Sequence, residues 1–196
     1  MKIIGLTGGI GTGKTEVSRI LEGLGAQVIS ADAMGQLAYA PGTEGWRRVV
    51  EEFGGDVLGP RGEVDRTKLG ATVFSDERRL RKLNAIVHPL IRSMVEKRLE
   101  ELGDRGAPVA VVEVVLLLEA GWTGLVDEVW VVAADEDVAV ARAAARSGLE
   151  PEAVRARAQA QMPQSERVAR ADVVIENNES LESLRVRVSE LWKNRI

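Results

Sequence analysis

A glycine-rich segment close to the start of the chain constrains the fold more than any other feature of the sequence. Residues 8–15, GGIGTGKT, match the pattern G-x-x-x-x-G-K-[ST]. An apolar segment typical of a buried strand precedes the match, and apolar residues at helical spacing follow it. Glycines allow successive backbone N–H groups to turn towards phosphate oxygens. The segment therefore predicts an α/β fold in which a phosphate-binding loop joins the first strand to the first helix.

The residues of this loop have separate predicted roles. Those expected to bind the nucleotide are Gly9, Ile10, Gly11, Thr12, Gly13, Lys14, Thr15 and Glu16. Lys14 would reach the β- and γ-phosphates, and the Thr15 hydroxyl would be a ligand of Mg²⁺. A purely structural glycine turn is the alternative, and the strand and helix on either side make it the less favoured one.

Composition excludes several other classes of function. The 196 residues carry a net charge of only -4, which gives no indication of a nucleic-acid or membrane surface. The chain has no cysteine, so disulfides, thiolate metal sites and a cysteine nucleophile are excluded. Its first apolar stretch is too short for a secretory signal, and its longest one is too short and too polar to cross a bilayer. We expect a cytoplasmic protein that is a monomer or a weak homo-oligomer.

Five apolar segments predict a parallel sheet that is covered by helices on both faces. These segments are residues 2–7, 26–30, 109–115, 128–134 and 172–176. Two helical excursions, at residues 33–102 and 136–170, interrupt the alternation of strands and helices. In the first excursion we expect two charged helices, at residues 76–87 and 89–102, with Pro89 in the first turn of the second. The whole chain, residues 1–196, is predicted to be a single domain with these two excursions.

Other classes of phosphate-binding protein need motifs that this chain lacks. The dinucleotide pattern G-x-G-x-x-G is absent, because Lys14 stands where the third glycine should be. The N-K-x-D motif of GTPases and the L-S-G-G-Q signature of ABC-type ATPases are absent as well. Small-molecule kinases are therefore the leading class.

A kinase also needs a group that orients or deprotonates the acceptor hydroxyl. Asp32 follows the second predicted strand, and the carboxyl ends of strands are where ligands bind in α/β sheets. A helix N-cap is the alternative role of Asp32, and its position alone does not separate the two. Glu113 interrupts the third strand, where it contacts Mg²⁺ through water or bonds to a backbone amide or a basic side chain.

Arginines and a single histidine complete the set of candidate residues. The arginines of the second excursion are Arg142, Arg146, Arg155, Arg157, Arg167 and Arg170. A mobile lid could close such side chains over ATP, because their planar guanidinium groups bind phosphate in pairs of hydrogen bonds. The alternative is a solvated helix that pairs with nearby acidic residues; it is favoured for most of the arginines, whereas Arg142 is favoured as functional. His88, before Pro89, marks a helix boundary or contacts the substrate, and the first role is favoured.

Segments distributed over nearly the whole chain resemble the dephospho-CoA kinase family. They are LTGGIGTGKT at residues 6–15, HPLI at 88–91, LLLEAG at 116–121, RAQAQMP at 157–163 and ADVVIENN at 171–178. The resemblance implies a P-loop kinase fold with a CoA-binding helical insertion at residues 33–102 and a lid at residues 136–170. It implies transfer of the γ-phosphate of ATP, with Mg²⁺, to the ribose 3′-hydroxyl of dephospho-CoA. This reaction is the last step of coenzyme A synthesis.

The resemblance also implies roles for individual residues. Asp32 would be the carboxylate that orients or deprotonates the acceptor hydroxyl, and His88 would belong to the acceptor-binding insertion. Arg142 would be the lid arginine on the phosphates, and Asn177 would lie near the adenine of ATP. These roles come from the family pattern and not from the spacing of the residues.

Three positions depart from the family pattern. Ser30 stands where the first aspartate of D-x-D is common, Gln36 where an arginine is common, and Val115 where a proline is common. Two other functions therefore stay open. One is a related kinase for another small acceptor, and the other is a nucleotide-binding relative without catalytic activity.

Overall fold

The computed structural model describes residues 1–73 and 76–196, and the chain divides into two compact units. The first unit comprises residues 1–30 and 99–196, and the second comprises residues 31–98. The second unit overlaps the insertion expected at residues 33–102. None of the described helices is long and apolar enough to span a membrane.

Five parallel strands form the sheet of the first unit, which confirms the predicted fold class. The strands are β1 (Lys2–Gly8), β2 (Gln27–Ser30), β3 (Val109–Glu113), β4 (Glu128–Ala133) and β5 (Val173–Glu176). Their order in the sheet is β2-β3-β1-β4-β5, and every neighbouring pair is parallel. Because β1 lies between β3 and β4, the residues that follow β1 leave the sheet at the middle of its carboxyl edge. This edge is where ligands bind in open α/β sheets.

Helices alternate with these strands along the chain. In the described residues they are α1 (Lys14–Gly23), α2 (Ala31–Ala38), α3 (Glu44–Phe53), α4 (Arg66–Val73), α5 (Glu77–Asp104), α6 (Glu136–Ser147), α7 (Pro151–Gln159), α8 (Gln164–Ala169) and α9 (Leu181–Arg195). Short 3₁₀ helices lie at Gly55–Val57 and Trp122–Leu125. Apolar residues of α1 and α9 pack with those of four strands in the main core, which includes the fully buried Trp130. Burial of this apolar surface is the main favourable term in the stability of the sheet.

The second unit has an apolar core of its own, to which α2, α3, α4 and α5 all contribute. Its buried members are Ala38, Val49, Val57, Val64, Leu69, Val73, Ile86 and Val87. The helix α3 begins after Thr43, whose hydroxyl accepts the backbone N–H of Trp46 at 3.1 Å. The indole of Trp46 donates in turn to the carbonyl of Gly62 at 2.7 Å, which ties α3 to the loop before α4.

The two helices expected around Pro89 are a single helix, α5, with Pro89 inside it. A proline in a helix interior costs about 3 kcal/mol, because it removes a backbone hydrogen bond and crowds the preceding turn. Here Leu83, before the proline, and Leu90 and Met94, after it, pack against the same apolar core. Apolar packing on both sides of Pro89 thus offsets the cost, and the helix boundary predicted at His88 is wrong.

Candidate active site

The phosphate-binding loop connects the end of β1 to the start of α1 and contains glycines that no other residue could replace without strain. Gly11 and Gly13 have φ values of +74° and +99°, which side chains rarely adopt. A Cβ on Gly11 would lie 2.0 Å from the carbonyl oxygen of Ala139, and one on Gly13 would lie 2.3 Å from Nδ2 of Asn177. The loop therefore packs tightly against α6 and against the residue that follows β5.

Lys14 marks one end of this loop. Its Nζ donates to the carbonyl oxygens of Gly8 and Gly9, at 2.8 and 3.0 Å. The ammonium group thus lies over the first two glycines of the loop, next to the end of β1. Glu16, which was also expected to bind the nucleotide, pairs through its carboxylate with Arg19 one turn further along α1.

Thr15 and Glu113 form a polar pair at the carboxyl edge of the sheet. Thr15 Oγ1 donates to Glu113 Oε1 at 3.1 Å, from the first turn of α1 to the last residue of β3. Glu113 is 8% exposed, so this hydrogen bond lies in a largely buried position. Hydroxyl and carboxylate oxygens are the ligand types that Mg²⁺ prefers, so the donor set of this pair fits that ion.

Asn177 contacts the loop at Thr12 and Gly13. Its backbone N–H donates to the carbonyl of Ala133 at 2.8 Å, and its Nδ2 donates to the carbonyl of Thr12 at 2.8 Å. Arg142, on α6, donates to the carbonyl oxygens of Asn177 and Glu179, at 2.6 and 3.1 Å. Arg142 and Asn177 therefore belong to one hydrogen-bonded group, which meets the loop at Thr12 and Gly13.

Arg167 was expected on a solvated helix, and this expectation is wrong. Its side chain is 2% exposed, and its Nη2 donates to Glu119 Oε1 at 2.8 Å. Its Nη1 lies 3.4 Å from the position that a Cβ on Gly9 would take. Arg170, the residue after α8, is half exposed, and among the described residues it pairs only with Glu166 of α8. No spacing in the sequence distinguishes these two arginines, so packing alone identifies Arg167.

Arg155 behaves as the solvated alternative predicts. It pairs on the surface with Glu136 and Asp137, at 3.0 and 2.6 Å. The hydrogen bond that Arg155 donates to Asp137, followed by the one that it donates to Glu136, raises the pKa of the Arg155 guanidinium. It is charged at any physiological pH and contributes to the surface of α7.

A cavity of about 390 Å³ lies between the loop and the helices α6, α7 and α8. Its lining includes Gly9, Ile10 and Thr12 of the loop, together with Gln161 and Arg167. The backbone N–H of Ile10 donates to Gln161 Oε1 at 3.1 Å, so one of the loop amides is hydrogen-bonded to a side-chain oxygen. Gln161 lies within RAQAQMP, one of the segments that resemble the kinase family, but no spacing or charge pattern in the sequence distinguishes it as a loop contact.

The candidates for the acceptor side belong to the second unit. Asp32 lies in the first turn of α2, which begins at Ala31, so its alternative role as the N-cap of a helix starting at residue 33 is wrong. His88 lies within α5, and burial lowers the pKa of its imidazole below the ordinary value. The roles of both residues towards a substrate stay predictions.

A central parallel strand, a G-x-x-x-x-G-K-T loop and a threonine–carboxylate pair beside it define the class of P-loop kinases. The sequence model of the dephospho-CoA kinase family matches residues 2–183. The chain therefore belongs to the dephospho-CoA kinase family.

Individual relatives support this assignment. A dephospho-CoA kinase of Geobacter sulfurreducens is 50% identical over 195 residues, which cover 100% of this chain and 99% of the relative. A crystal structure from Thermus thermophilus superposes with a TM-score of 0.84 at 38% identity, over 100% of this chain and 98% of that one. The structure of dephospho-CoA kinase from Campylobacter jejuni gives a TM-score of 0.74 at 25% identity, over 99% and 97% of the two chains. The predicted family, fold class and kinase function in coenzyme A biosynthesis are thus confirmed.

Proposed function

We propose that this chain transfers the γ-phosphate of ATP to the ribose 3′-hydroxyl of dephospho-CoA, which gives coenzyme A and ADP. The observation that carries the proposal is the group of polar side chains at the loop that follows the central strand: Lys14 bonds to the carbonyl of Gly8, and Thr15 bonds to Glu113. The bond between the acceptor oxygen and γ-phosphorus forms while the bond between γ-phosphorus and the ADP oxygen breaks. The remaining steps concern binding, orientation and one proton.

Lys14 and the start of α1 bind the phosphates in this proposal. Lys14 Nζ gives up the carbonyls of Gly8 and Gly9 and donates instead to the β- and γ-phosphate oxygens. The first backbone amides of α1 and the positive end of its dipole stabilise the same anion. These groups act as a preorganised electrostatic site, so little reorganisation is needed when charge develops on the leaving oxygen.

Thr15 and Glu113 would hold Mg²⁺, Thr15 directly and Glu113 through a bound water. A metal ion held by these residues would supply positive charge that offsets the charge of the phosphate groups during transfer. Within residues 1–73 and 76–196 no group of three or more His, Asp and Glu side chains could hold a metal ion. Mg²⁺ does not require such a group in kinases, because phosphates and waters supply most of its ligands.

Arg142 and Asn177 would bind the nucleotide beside Thr12 and Gly13. We propose that Asn177 lies near the adenine and that Arg142 reaches the phosphates from α6. Their mutual hydrogen bond and the bond from Asn177 to Thr12 support a shared role, because the three groups form one rigid network.

Asp32 would orient the 3′-hydroxyl and accept its proton. Its place in the chain, two residues after the end of β2, supports this role, because strand ends carry the ligand-binding residues of such sheets. His88 would contribute to acceptor binding from α5 of the second unit. Positioned proton acceptors of this kind contribute about 10² to 10⁴ in rate.

A coupled ADP-release assay with ATP, Mg²⁺ and dephospho-CoA tests the proposed reaction. We expect turnover well above the blank without acceptor, and phosphorus NMR of the product should show a new 3′-phosphate. A panel with AMP, adenosine and pantetheine tests the related-kinase alternative, which a better acceptor among them would establish. Binding of both substrates without turnover would establish the non-catalytic alternative.

Assembly and location stay predictions. A monomer or a weak homo-oligomer should appear in sedimentation velocity over a range of concentrations. A cytoplasmic location follows from the proposed substrates, and fractionation of cells that express the protein would test it.

A further inference from the structure

Arg167 is a buried arginine to which the proposed reaction assigns no role. A buried guanidinium is costly unless its charge and its donors are satisfied. Glu119 accepts a hydrogen bond from only one of the three guanidinium nitrogens, Nη2, at 2.8 Å. The Nε atom has no hydrogen-bond partner among the described residues, although it is shielded from solvent. The side chain therefore keeps donor capacity for another acceptor.

This guanidinium group faces the phosphate-binding loop. Its Nη1 approaches Gly9, and the side chain lines the same cavity as Gly9, Ile10 and Thr12. Lys14 Nζ is hydrogen-bonded to the carbonyls of Gly8 and Gly9. Two cationic side chains thus converge on the first glycines of the loop, and only Lys14 has an assigned phosphate.

Arg167 and Arg142 lie near different residues of the loop. Arg142 is bonded to the carbonyls of Asn177 and Glu179, on the side where Asn177 holds Thr12. Arg167 lies instead on the side of Gly9 and Lys14. Because the P-loop lysine reaches the β- and γ-phosphates, the shared contact with Gly9 indicates that Arg167 lies near the terminal phosphates of a bound nucleotide.

The backbone around Arg167 is attached to the sheet. Gln164 Oε1 accepts the N–H of Ala134, just beyond β4, at 3.2 Å. The N–H of Asp172 donates to the carbonyl of Val129, within β4, at 2.9 Å. These two bonds bracket α8 and fix it beside the loop. Arg167 is therefore held in place before a ligand arrives, which lowers the entropic cost of binding.

We propose that Arg167 contacts the γ-phosphate of ATP and that Glu119 positions it; the proposal rests on ATP being the phosphoryl donor. The planar guanidinium donates through Nη1, the atom next to Gly9, to a phosphate oxygen while Nη2 stays on Glu119. Its charge stabilises the equatorial oxygens of the phosphoryl group during transfer. A purely structural ion pair between α8 and the residues after β3 would instead affect all nucleotides equally.

Calorimetric titration with ATP and with ADP, each with Mg²⁺ and without acceptor, tests this contact. Arg167→Gln should weaken ATP binding by about 10- to 100-fold, the range for hydrogen bonds to charged groups, and ADP binding by less than about 3-fold. Glu119→Gln should change the ATP/ADP affinity ratio in the same direction by a smaller factor. Arg155→Gln, which removes an exposed arginine from α7, is the matched control and should leave the ratio unchanged.

Equal losses for ATP and ADP, or no loss in a folded Arg167→Gln variant, would overturn the proposal. If that variant does not fold, the titrations are repeated with Arg167→Lys. This variant keeps a positive charge beside Glu119 but lacks the planar guanidinium group. An ATP/ADP affinity ratio equal to that of the wild type would then overturn the proposal as well. The titrations contain no dephospho-CoA. Failure of the wild-type enzyme to phosphorylate that acceptor would therefore contradict the proposed function without altering the result for Arg167.

Discussion

The hydroxyl of Thr15 lies 3.1 Å from a carboxylate oxygen of Glu113, so the first turn of α1 and the end of β3 share one polar contact. The register of the sheet produces this proximity, because Glu113 pairs with Leu6 of β1, near the start of the loop that leads to Thr15. Residues 98 positions apart in the chain thereby form the proposed Mg²⁺ site.

Removing the charge of Glu113 should weaken the binding of Mg²⁺ at the active site. We expect Glu113→Gln to lower kcat/KM or the apparent Mg²⁺ affinity by about 10- to 100-fold, as is typical for residues that orient metal ligands. Initial rates over a range of Mg²⁺ concentrations measure the effect. Glu182→Gln, on the exposed side of α9, is the control. An unchanged Mg²⁺ titration for Glu113→Gln would exclude the carboxylate from the metal site.

Asp32→Asn should abolish most of the turnover while ATP affinity stays nearly unchanged. The amide keeps the shape of the side chain but cannot take a proton, so kcat should fall by about 10²- to 10⁴-fold. Steady-state kinetics and ATP titration of the same preparation measure both quantities. Asp56→Asn changes an exposed aspartate of the same unit and should behave as the wild type. Full activity of Asp32→Asn would remove Asp32 from the mechanism.

Gly13→Ala should damage both the loop and the fold. Its φ of +99° strains any side chain, and the new methyl group would clash with Asn177 Nδ2 at 2.3 Å. Strain of this kind costs about 1–3 kcal/mol, so we expect a lower free energy of unfolding and much weaker ATP binding. Urea unfolding and ATP titration measure the two effects.

Gly23→Ala provides the contrast to Gly13→Ala. Gly23 ends α1, and no atom lies within 4 Å of a Cβ built there. Alanine has a higher helix propensity than glycine by up to about 1 kcal/mol, so this variant should be neutral or slightly more stable. Equal destabilisation by the two substitutions would contradict the role assigned to the loop conformation.

His88 should make the protein less stable as the pH falls below neutrality. Burial lowers the pKa of His88 in the folded chain, so the unfolded chain binds its proton at a higher pH than the folded chain does. The free energy of unfolding therefore declines as the pH falls through the unfolded value, about 6.5, and the decline ends below the folded pKa. Urea unfolding of the wild type and of His88→Gln from pH 7.5 to pH 5 should show a shallower slope for the variant. Parallel slopes would show that other groups cause the decline.

The departures from the family pattern have different local consequences. The carbonyl of Val115 accepts the hydroxyl of Thr7 at 3.0 Å, so this backbone position is bonded to β1 without the proline common in the family. Gln36 lies in α2 of the second unit. It is neutral, whereas the arginine that is common in the family at this position would carry a positive charge. Titration of dephospho-CoA into Gln36→Arg, with the wild type beside it, would show whether that charge strengthens acceptor binding.

The sheet and the loop could be predicted because local sequence determines both. Each strand is a short run of apolar residues, and both of its faces are buried when helices cover the sheet on both sides. The glycine pattern fits a turn that exposes backbone amides. The α5 helix could not be predicted as one element, because local rules end a helix near Pro89. Only the shared contacts of Leu83, Leu90 and Met94 with one core reverse that preference.

The sequence by itself determined the fold class, the phosphate-binding loop and the family of the enzyme, since each depends on residues close together in the chain or on the order of motifs. Only the tertiary structure distinguished Arg167 from Arg170 and joined Gln161 to the amide of Ile10. The burial of a charged side chain depends on which surfaces meet when the sheet forms. Two arginines with the same local sequence properties can therefore differ completely in environment, one against the loop and the other in solvent.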